Sequence, residues 1–339
     1  FFGIKGTVEV LWSQTQQDIY YLNVNKKELG VSPLDGRKTF QPVSSALGNA
    51  YFLTNTSEGQ ERTETLQLEK RFQNNFTLSG SYAHQSAESI GEGTSSTASS
   101  NWQFGFITRN GDIFNPEVTT STFQVKHRFN ISASYTLTTG PLFHGFGLFY
   151  VAQAGQPYSL LMGGDPNRDG SQNNDLLYIP ADLILCPANS NAAPNATSPC
   201  RSNTATQSPL DKGLFTAFLN SVGYTPGSAQ APERNSLEQP WTRRLDFHYE
   251  LGLPQLLGTR VSIQADILNL LNMIDNEAGV QRFVVNNTYM PVTYSGQDPT
   301  SGLPVYRETS AGRLTPGNQF STANAASRWQ ARLGLRVNF

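Results

Sequence analysis

The sequence predicts an all-β fold of antiparallel strands that form a transmembrane β-barrel, or the last eight or so strands of a larger barrel. Residues 327–339 alternate between apolar and polar side chains, as expected for a strand with one face in an apolar medium. Seven further segments show the same period of two. The connections between segments are alternately short and long, which is typical of barrels with short periplasmic turns and long extracellular loops.

The composition excludes two classes of protein. The formal net charge is −2 and the chain has no basic cluster, so it lacks the electrostatic footprint of a nucleic-acid-binding protein. No run of about 18 apolar residues is present, so the sequence predicts no transmembrane helix. A barrel is compatible with this finding because half of each strand faces a polar lumen.

Alternation defines the first four predicted strands, at about residues 4–21, 50–72, 76–82 and 125–137. The first places Val8, Val10 and Trp12 on one face, opposite polar residues. The second and third strands are separated only by Gln73, Asn74 and Asn75, which are typical turn residues. The fourth alternates most regularly and is followed by a Gly-Pro turn.

The last four predicted strands are at about residues 146–152, 241–253, 260–267 and 327–339. The first of these carries Phe146, Leu148, Tyr150 and Ala152 on one face, and each of the other three places apolar residues on one face and mainly polar or charged residues on the other. The fifth and sixth strands are separated by residues 163–240, which are rich in Asn, Pro, Ser and Ala. This is predicted to be the longest irregular stretch, with a short helix at Leu214–Val222.

The terminal segment, residues 327–339, is predicted to be the strand that completes insertion of the barrel into the membrane. It alternates apolar with polar residues and ends on an aromatic residue, and its apolar face includes Trp329, Leu333, Leu335, Val337 and Phe339. Aromatic residues at the ends of a strand of about ten residues are typical of transmembrane barrels. The chain shows no signal peptide, so we expect a mature or truncated product of an exported protein.

Several stretches together resemble one family along nearly the whole chain. The stretches are Leu53–Gly59, Leu66–Phe72, Gln153–Tyr158, Gly164–Gly170, Asn174–Pro180, Pro240–Asp246, Asp266–Asn272 and Ser327–Arg336. They resemble the carboxy-terminal barrel of TonB-dependent receptors of the Oar-like (OmpA-related) group, which carries an amino-terminal carboxypeptidase-regulatory-like domain.

The resemblance implies an outer-membrane receptor that moves a large substrate across the outer membrane of a Gram-negative (diderm) bacterium. Its implied partners are outer-membrane lipid, the barrel assembly machinery, a substrate of unknown identity, and the TonB complex, which it would contact through a plug region. The plug and amino-terminal domains of the family are absent from this sequence. Residues 1–339 are therefore expected to form a single barrel region, and no nucleic acid is expected as a partner.

Two alternatives to transport remain open at this stage. The first is a structural or adhesive surface barrel with calcium-stabilised loops. The second is an outer-membrane enzyme, but the chain lacks the Gly-x-Ser-x-Gly, His-Glu-x-x-His and Walker-type motifs. The four histidines lie in separate segments, so we expect no enzyme and no catalytic residues.

One acidic stretch, residues 165–175, resembles a calcium-binding loop. Asp165, Asn167 and Asp169 take positions 1, 3 and 5 of an EF-hand-like loop, and Gly170 takes the turning position 6. The remaining predicted oxygen ligands are Ser171, Asn173 and Asp175. Position 12 is a leucine where the motif requires a bidentate Glu, so a solvated turn is the alternative to a Ca²⁺ site.

The two cysteines predict a disulfide bond. Cys186 and Cys200 are the only cysteines in the chain and lie in the same Pro/Asn/Ser-rich connection. Disulfides persist in oxidising compartments such as the bacterial cell surface. We therefore predict a Cys186–Cys200 bridge in the long loop, with two free thiols as the alternative.

Overall fold

A computed structural model describes residues 3–105, 107–190, 198–201, 207–228, 230–255 and 259–338. The predicted terminal aromatic Phe339 and part of the predicted turn 254–258 lie outside these residues. Within the described residues, no helix is long and apolar enough to cross a membrane.

The strands, in chain order, are β1 (Ile4–Gln14), β2 (Asp18–Asn23), β3 (Lys26–Val31), β4 (Lys38–Pro42), β5 (Tyr51–Thr56), β6 (Gln60–Arg71), β7 (Phe76–Ser89), β8 (Thr119–Thr120), β9 (His127–Thr139), β10 (Leu142–Gln153), β11 (Pro157–Gly163), β12 (Ile184–Cys186), β13 (Leu237–Glu238), β14 (Thr242–Gly252), β15 (Arg260–Leu268), β16 (Arg282–Phe283), β17 (Thr288–Gln297), β18 (Pro304–Glu308), β19 (Ser321–Thr322) and β20 (Gln330–Asn338). The helices are α1 (Ala98–Gly105), α2 (Lys212–Ser221), α3 (Leu270–Ile274) and α4 (Asn324–Ser327), with a short 3₁₀ segment at Val285–Asn287.

Eight long strands form one continuous antiparallel sheet in the order β1-β6-β7-β9-β10-β14-β15-β20. Each strand pairs with its neighbours along this path, and the turns between β6 and β7, β9 and β10, and β14 and β15 are short. The four other connections are long and all leave the sheet at the same end, because successive strands run in opposite directions. The predicted all-β antiparallel fold with alternating connection lengths is confirmed.

The pairing register places apolar residues together on one face of this sheet. A row across its middle runs from Ala133 through Leu148, Phe247 and Ile267 to Ala331, each directly opposite the next. The polar side chains one position away fall on the other face because successive strand residues point to opposite sides.

That other face carries hydrogen bonds between charged and polar side chains. His248 Nδ1 lies 2.6 Å from Asp266 Oδ1 across β14 and β15, and Asp266 is directly opposite Arg332 on β20. Arg244 and Asp246 form an ion pair of 3.0 Å. Across β14, β15 and β20 the sheet thus separates an apolar face from a polar one.

The outermost strands, β1 and β20, are exposed on both faces. All eleven residues of β1 and all nine of β20 are exposed. Among the described residues, β1 pairs only with β6 and β20 only with β15. Each therefore leaves one row of backbone hydrogen-bonding groups without a strand partner.

Two of the predicted strand boundaries are wrong. The first predicted strand is divided into β1 and β2, and the second is divided into β5 and β6. Gly59 explains the second break: its φ of +123° is unfavourable for other residues, and a Cβ there would lie 2.9 Å from the carbonyl oxygen of Glu88. The carbonyl of Gly59 accepts a hydrogen bond from Thr15 N at 3.1 Å. This bond links the break between β5 and β6 to the break between β1 and β2.

Residues 163–240 are mostly irregular, as predicted, and the described part of this stretch after β11 contains only β12, α2 and β13 as regular elements. The sequence did not predict that these residues contribute to a packed hydrophobic core. We call the described parts of the four long connections, which lie within residues 15–59, 90–126, 154–241 and 269–329, the loop layer. Its largest core consists of buried residues from β11, α2, β17, β18 and the chain around residues 176–185, including Leu160, Met162, Leu177, Phe218, Val292 and Tyr306. The predicted helix at 214–222 is confirmed as α2.

Within the loop layer, strands from distant connections pair with each other. Strand β11 pairs parallel with β17, β12 pairs parallel with β18, and β17 pairs antiparallel with β18. A second core joins the first two connections through Tyr20, Phe40, Ile90, Trp102 and Ile113. The loop layer thus forms a packed unit at one end of the sheet.

Candidate functional site

The predicted disulfide is present in the loop layer. Cys186 lies at the end of β12, and its Cα is 5.3 Å from that of Cys200. Both residues are buried against Val305 of β18. The bridge therefore ties Cys200 to the small sheet of the loop layer that contains β12 and β18.

We expect the double variant Cys186→Ser/Cys200→Ser to lose protection of this connection while the membrane sheet stays folded. Closing a loop of about 15 residues is worth about 3 kcal/mol in the chain-entropy treatment. Proteolysis rates within residues 180–210 should rise, whereas the exposed control Ser208→Ala should behave as the unmodified protein. Two alkylatable thiols in protein recovered from cells would contradict the bridge.

The acidic loop, residues 165–175, belongs to the third long connection and contacts the first and second long connections as well as β11 of its own connection. Phe40 N donates to the carbonyl of Asn167 at 2.8 Å, and Ser171 Oγ donates to the carbonyl of Gln103 at 3.3 Å. Met162 N on β11 donates to the carbonyl of Asp175 at 3.0 Å. The loop is therefore a junction on which other loop segments depend.

The predicted turning residue adopts the conformation that the motif requires. Gly170 has φ +92°, and a Cβ there would lie 2.6 Å from Asn49 Oδ1 and 2.9 Å from Lys26 Nζ. Lys26 Nζ donates to the carbonyl of Arg168 at 3.2 Å. A side chain at position 170 would thus be strained and would displace residues of the neighbouring β3–β4 hairpin.

Three of the six predicted ligands have their side chains occupied within the protein. Asp169 is fully buried, and its oxygens accept hydrogen bonds from Ser171 N, Asn167 Nδ2 and Asn174 Nδ2 at 2.7–3.0 Å. Asn167 Oδ1 accepts from Asp169 N at 3.1 Å. The Ser171 hydroxyl is used in the contact with Gln103, so these three side chains shape the loop.

Three other oxygens in the same loop have no partner. Asp165 Oδ1, Asn174 Oδ1 and Asp175 Oδ2 are buried and accept no hydrogen bond. Asn174 is not among the predicted ligands, and its spacing of nine residues from Asp165 falls outside the alternating pattern of the motif. Asn173, which is predicted as a ligand, is only half-buried, and its backbone N–H donates to the Ser171 hydroxyl.

Burial makes the carboxylates of this loop unusually basic. Burial, with a contribution from Asp169, raises the pKa of Asp165 to about 6. Burial also raises the pKa of Asp175 well above its ordinary value, although the nearby Arg37 opposes this. Among the described residues, no group of three or more His, Cys, Asp or Glu side chains is arranged to hold a metal ion by itself.

Arg37 on the β3–β4 hairpin neutralises part of this charge. Its guanidinium is 1% exposed and donates from Nη1 to Asp175 Oδ1 and from Nε to Asp35 Oδ2, both at 2.6 Å. Nη2 also donates to the carbonyl of Leu176 at 3.0 Å. Sequence reasoning missed this residue because 138 positions separate Arg37 from Asp175 and no local motif connects them.

A second feature of the loop layer is a groove made of two adjoining cavities of about 390 Å³ each. Phe104, Asn173, Asn286 and Thr288 line both cavities. We call this the loop groove. Phe104 is 57% exposed, so a large aromatic surface is available in it.

Each cavity of the loop groove is lined by one arginine. Arg234 lines one cavity, is 3% exposed and donates from Nε to Thr119 Oγ1 at 2.8 Å. Burial lowers its pKa to about 10, and Glu92 lies nearby without forming an ion pair. Arg313 lines the other cavity and stacks over the Tyr289 ring at 4.8 Å. Aromatic, amide and guanidinium groups together suit a polar ligand with flat or anionic parts.

Aromatic residues form a belt where the sheet meets the loop layer. Trp241 stacks with His127 at 6.1 Å, and Tyr82 lies 4.7 Å from Phe129, measured between ring centroids. Trp329 lies at the same end, directly before β20, rather than inside that strand as predicted. Such belts mark the boundary between hydrocarbon and water in membrane barrels.

The sheet, the belt and the alternation of connection lengths define an outer-membrane β-barrel protein, with the loop layer on the extracellular side. The sequence matches the outer membrane beta-barrel domain family over residues 13–276, and the chain belongs to that family. It is therefore a protein of the outer membrane of Gram-negative bacteria. No curated protein matches the chain.

Proposed function

We propose that the chain is the barrel region of an Oar-like TonB-dependent receptor that moves a large substrate across the outer membrane. The observation that carries this proposal is the ordered loop layer, which presents the loop groove above a wide, unclosed arc of strands. Membrane-spanning strands do not by themselves require a hydrophobic core in the extracellular loops. The presence of such a core therefore supports a role for the loops in binding a substrate.

The edges of the sheet support a barrel larger than eight strands. Unpaired strand edges are not tolerated in the hydrocarbon region of a membrane. Among the described residues, β1 and β20 each have one edge without a strand partner. Every residue of these two strands is exposed, whichever face of the sheet its side chain is on. Transporters of this class have about 22 strands and a plugged lumen, so eight strands would supply roughly a third of the wall.

The proposed partners follow from this role. The apolar face contacts outer-membrane lipid, and the barrel assembly machinery inserts the chain. The TonB complex would act through a plug region, and the loop groove would make the first contact with the substrate. We propose no catalytic activity, and assays of the purified protein for protease and lipase activity test that part separately.

The transport role is tested on the full-length gene product. We expect it to carry a plug region and to bind the purified periplasmic domain of TonB. A gene-deletion strain should lose the uptake or release of a defined class of solute from the culture medium, as should a strain whose TonB is inactive. Absence of both TonB binding and any change in solutes would favour the structural or adhesive alternative.

The loop groove is tested in the same strains with one pair of variants. We expect Phe104→Ala to reduce uptake, because Phe104 lines both cavities, and to leave the amount of protein in the outer membrane unchanged. Phe52→Ala is the matched control, since Phe52 is 55% exposed and is not among the residues that line the groove. Equal loss of uptake in the two variants would contradict a specific role for the groove.

A further inference from the structure

The three unpartnered oxygens of the acidic loop all require the same kind of partner. Asp165 Oδ1, Asn174 Oδ1 and Asp175 Oδ2 are acceptors. Leaving a buried polar atom without a partner costs about 1–3 kcal/mol, and more when the group is charged. One buried water can donate only two hydrogen bonds, so a single water does not satisfy all three.

The surrounding cluster also contains more acidic than basic side chains. Four carboxylates lie in it, those of Asp35, Asp165, Asp169 and Asp175, and each of the last three interacts electrostatically with at least one other. Two cationic groups oppose them: Arg37, which pairs with Asp35 and Asp175, and Lys26, which lies near Asp165 and Asp169. When all four carboxylates are ionised, the cluster therefore has an excess of two negative charges.

We propose that Asp165, Asn174 and Asp175 bind one divalent cation through these three oxygens, and that Ca²⁺ is the ion that fits best. Carboxylate and amide oxygens are the hard ligands that Ca²⁺ takes, and its flexible coordination allows water to complete the shell. One such ion would neutralise the excess charge and satisfy the three acceptors together.

This donor set differs from that of an EF-hand loop, and the difference explains why position 12 is not a glutamate. In an EF-hand the residues at positions 3 and 5 bind the ion, whereas here Asn167 and Asp169 are hydrogen-bonded inside the loop. The missing Glu at position 12 is therefore not a defect. The last ligands are instead the adjacent pair Asn174 and Asp175, which the chain places directly before the buried Leu176.

Ion binding would hold the loop layer together locally. The acidic loop contacts the β3–β4 hairpin through Lys26, Arg37 and Phe40, and the chain after α1 through an isolated bridge between Thr108 and Asp175. With only two charged ligands, the dissociation constant should be about 10⁻⁴–10⁻³ M, as in extracellular calcium modules. At such a value, extracellular calcium orders the loop without controlling the stability of the barrel.

The test uses the full-length gene product, purified in detergent at pH 7.5 after chelation. Calorimetric titration with CaCl₂ should show saturable binding, and MgCl₂ should bind more weakly. Asp165→Asn should remove binding up to about 10 mM, roughly tenfold above the upper end of that range. Asn keeps an oxygen that can accept from Gly170 N, so the fold of the loop should persist.

Limited proteolysis measures the effect of the ion on the unmodified protein, independently of any variant that disturbs folding. Millimolar Ca²⁺ should slow proteolysis within residues 163–240 of the unmodified protein, and Asn174→Ala should remove this protection. Asp182→Asn, at a side chain that is 79% exposed in the same connection, should bind and be protected normally. The proposal is overturned if the unmodified protein shows neither binding heat nor protection at 10 mM CaCl₂, or if Asp182→Asn loses binding as fully as Asp165→Asn.

Discussion

An arginine at position 133 should destabilise the folded barrel by about 2–4 kcal/mol, the cost of a charge on the lipid-facing side near the middle of the bilayer. Ala133 is the central residue of β9, and its neighbours across the sheet are Leu78 and Leu148 on the apolar face. The guanidinium would have to lie in hydrocarbon or draw water and headgroups towards it. Urea titration of the protein folded in lipid vesicles measures this cost.

The neighbouring residue provides a matched control. Ser134 is similar in size and points to the polar face, where its cross-strand neighbours are Thr77 and Gly147. Ser134→Arg should therefore change the free energy of unfolding by only about 0.5 kcal/mol, as is usual for exposed sites. If Ser134→Arg proves the more damaging of the two, the assignment of lipid and lumen faces is reversed.

The assignment of the lipid and lumen faces can also be tested without introducing a charged residue. Spin labels at positions 245, 263 and 333 should report a lipid environment, since Leu245, Ile263 and Leu333 lie on the apolar face with Phe247, Ile267 and Leu335. Labels at 264 and 332 should report water. Water at all five positions would mean that these strands are not in the membrane.

Loss of Arg37 should disorder the acidic loop more than any single uncharged change in the loop layer. Removing one member of a buried ion pair costs about 3–5 kcal/mol, because the remaining charges stay buried without compensation. Arg37→Ala would leave both Asp35 and Asp175 in this state. Backbone amide exchange within residues 160–180 should accelerate on the order of 10²- to 10³-fold, since each 1.4 kcal/mol is a factor of about ten.

Two controls distinguish loss of the buried ion pair from loss of a positive charge at any position. The first removes an exposed arginine, and the second removes one of the carboxylates that Arg37 neutralises. Arg71 is 80% exposed and pairs with Glu69 at 2.8 Å, so Arg71→Ala should cost less than about 1 kcal/mol. Adding Asp175→Asn to Arg37→Ala should restore part of the protection, because it removes one of the uncompensated charges. Unchanged exchange in Arg37→Ala would show that this ion pair does not stabilise the loop.

The strands and their faces were predictable from the sequence because the bilayer imposes its pattern locally. Within β14 and β15, each residue must suit either hydrocarbon or water, so the alternation of Phe247 and Ile267 with His248 and Asp266 can be read without knowing the register. The disulfide was predictable for a related reason, since two cysteines in one exported loop offer a single pairing. The breaks at residues 15–17 and 57–59 were missed because alternating residues continue on both sides of them.

The loop layer was decided only by the tertiary structure. Its core forms by packing residues from separate connections, as when Phe218 of α2 contacts Tyr289 of β17, and no periodic pattern marks such residues along the chain. The ion pair of Arg37 with Asp175 and the loop groove depend in the same way on contacts between distant segments.

The acidic loop shows most clearly which features follow from the sequence and which follow only from the tertiary structure. Its sequence determined that oxygen-rich residues and a turning glycine would lie together, because these are consequences of neighbouring residue types and of φ at Gly170. The tertiary structure decided which oxygens remain free. Asp169 is used internally, whereas Asn174 and Asp175 are buried with unpartnered oxygens, because packing against β11 and the β3–β4 hairpin buries these oxygens without providing a donor for them.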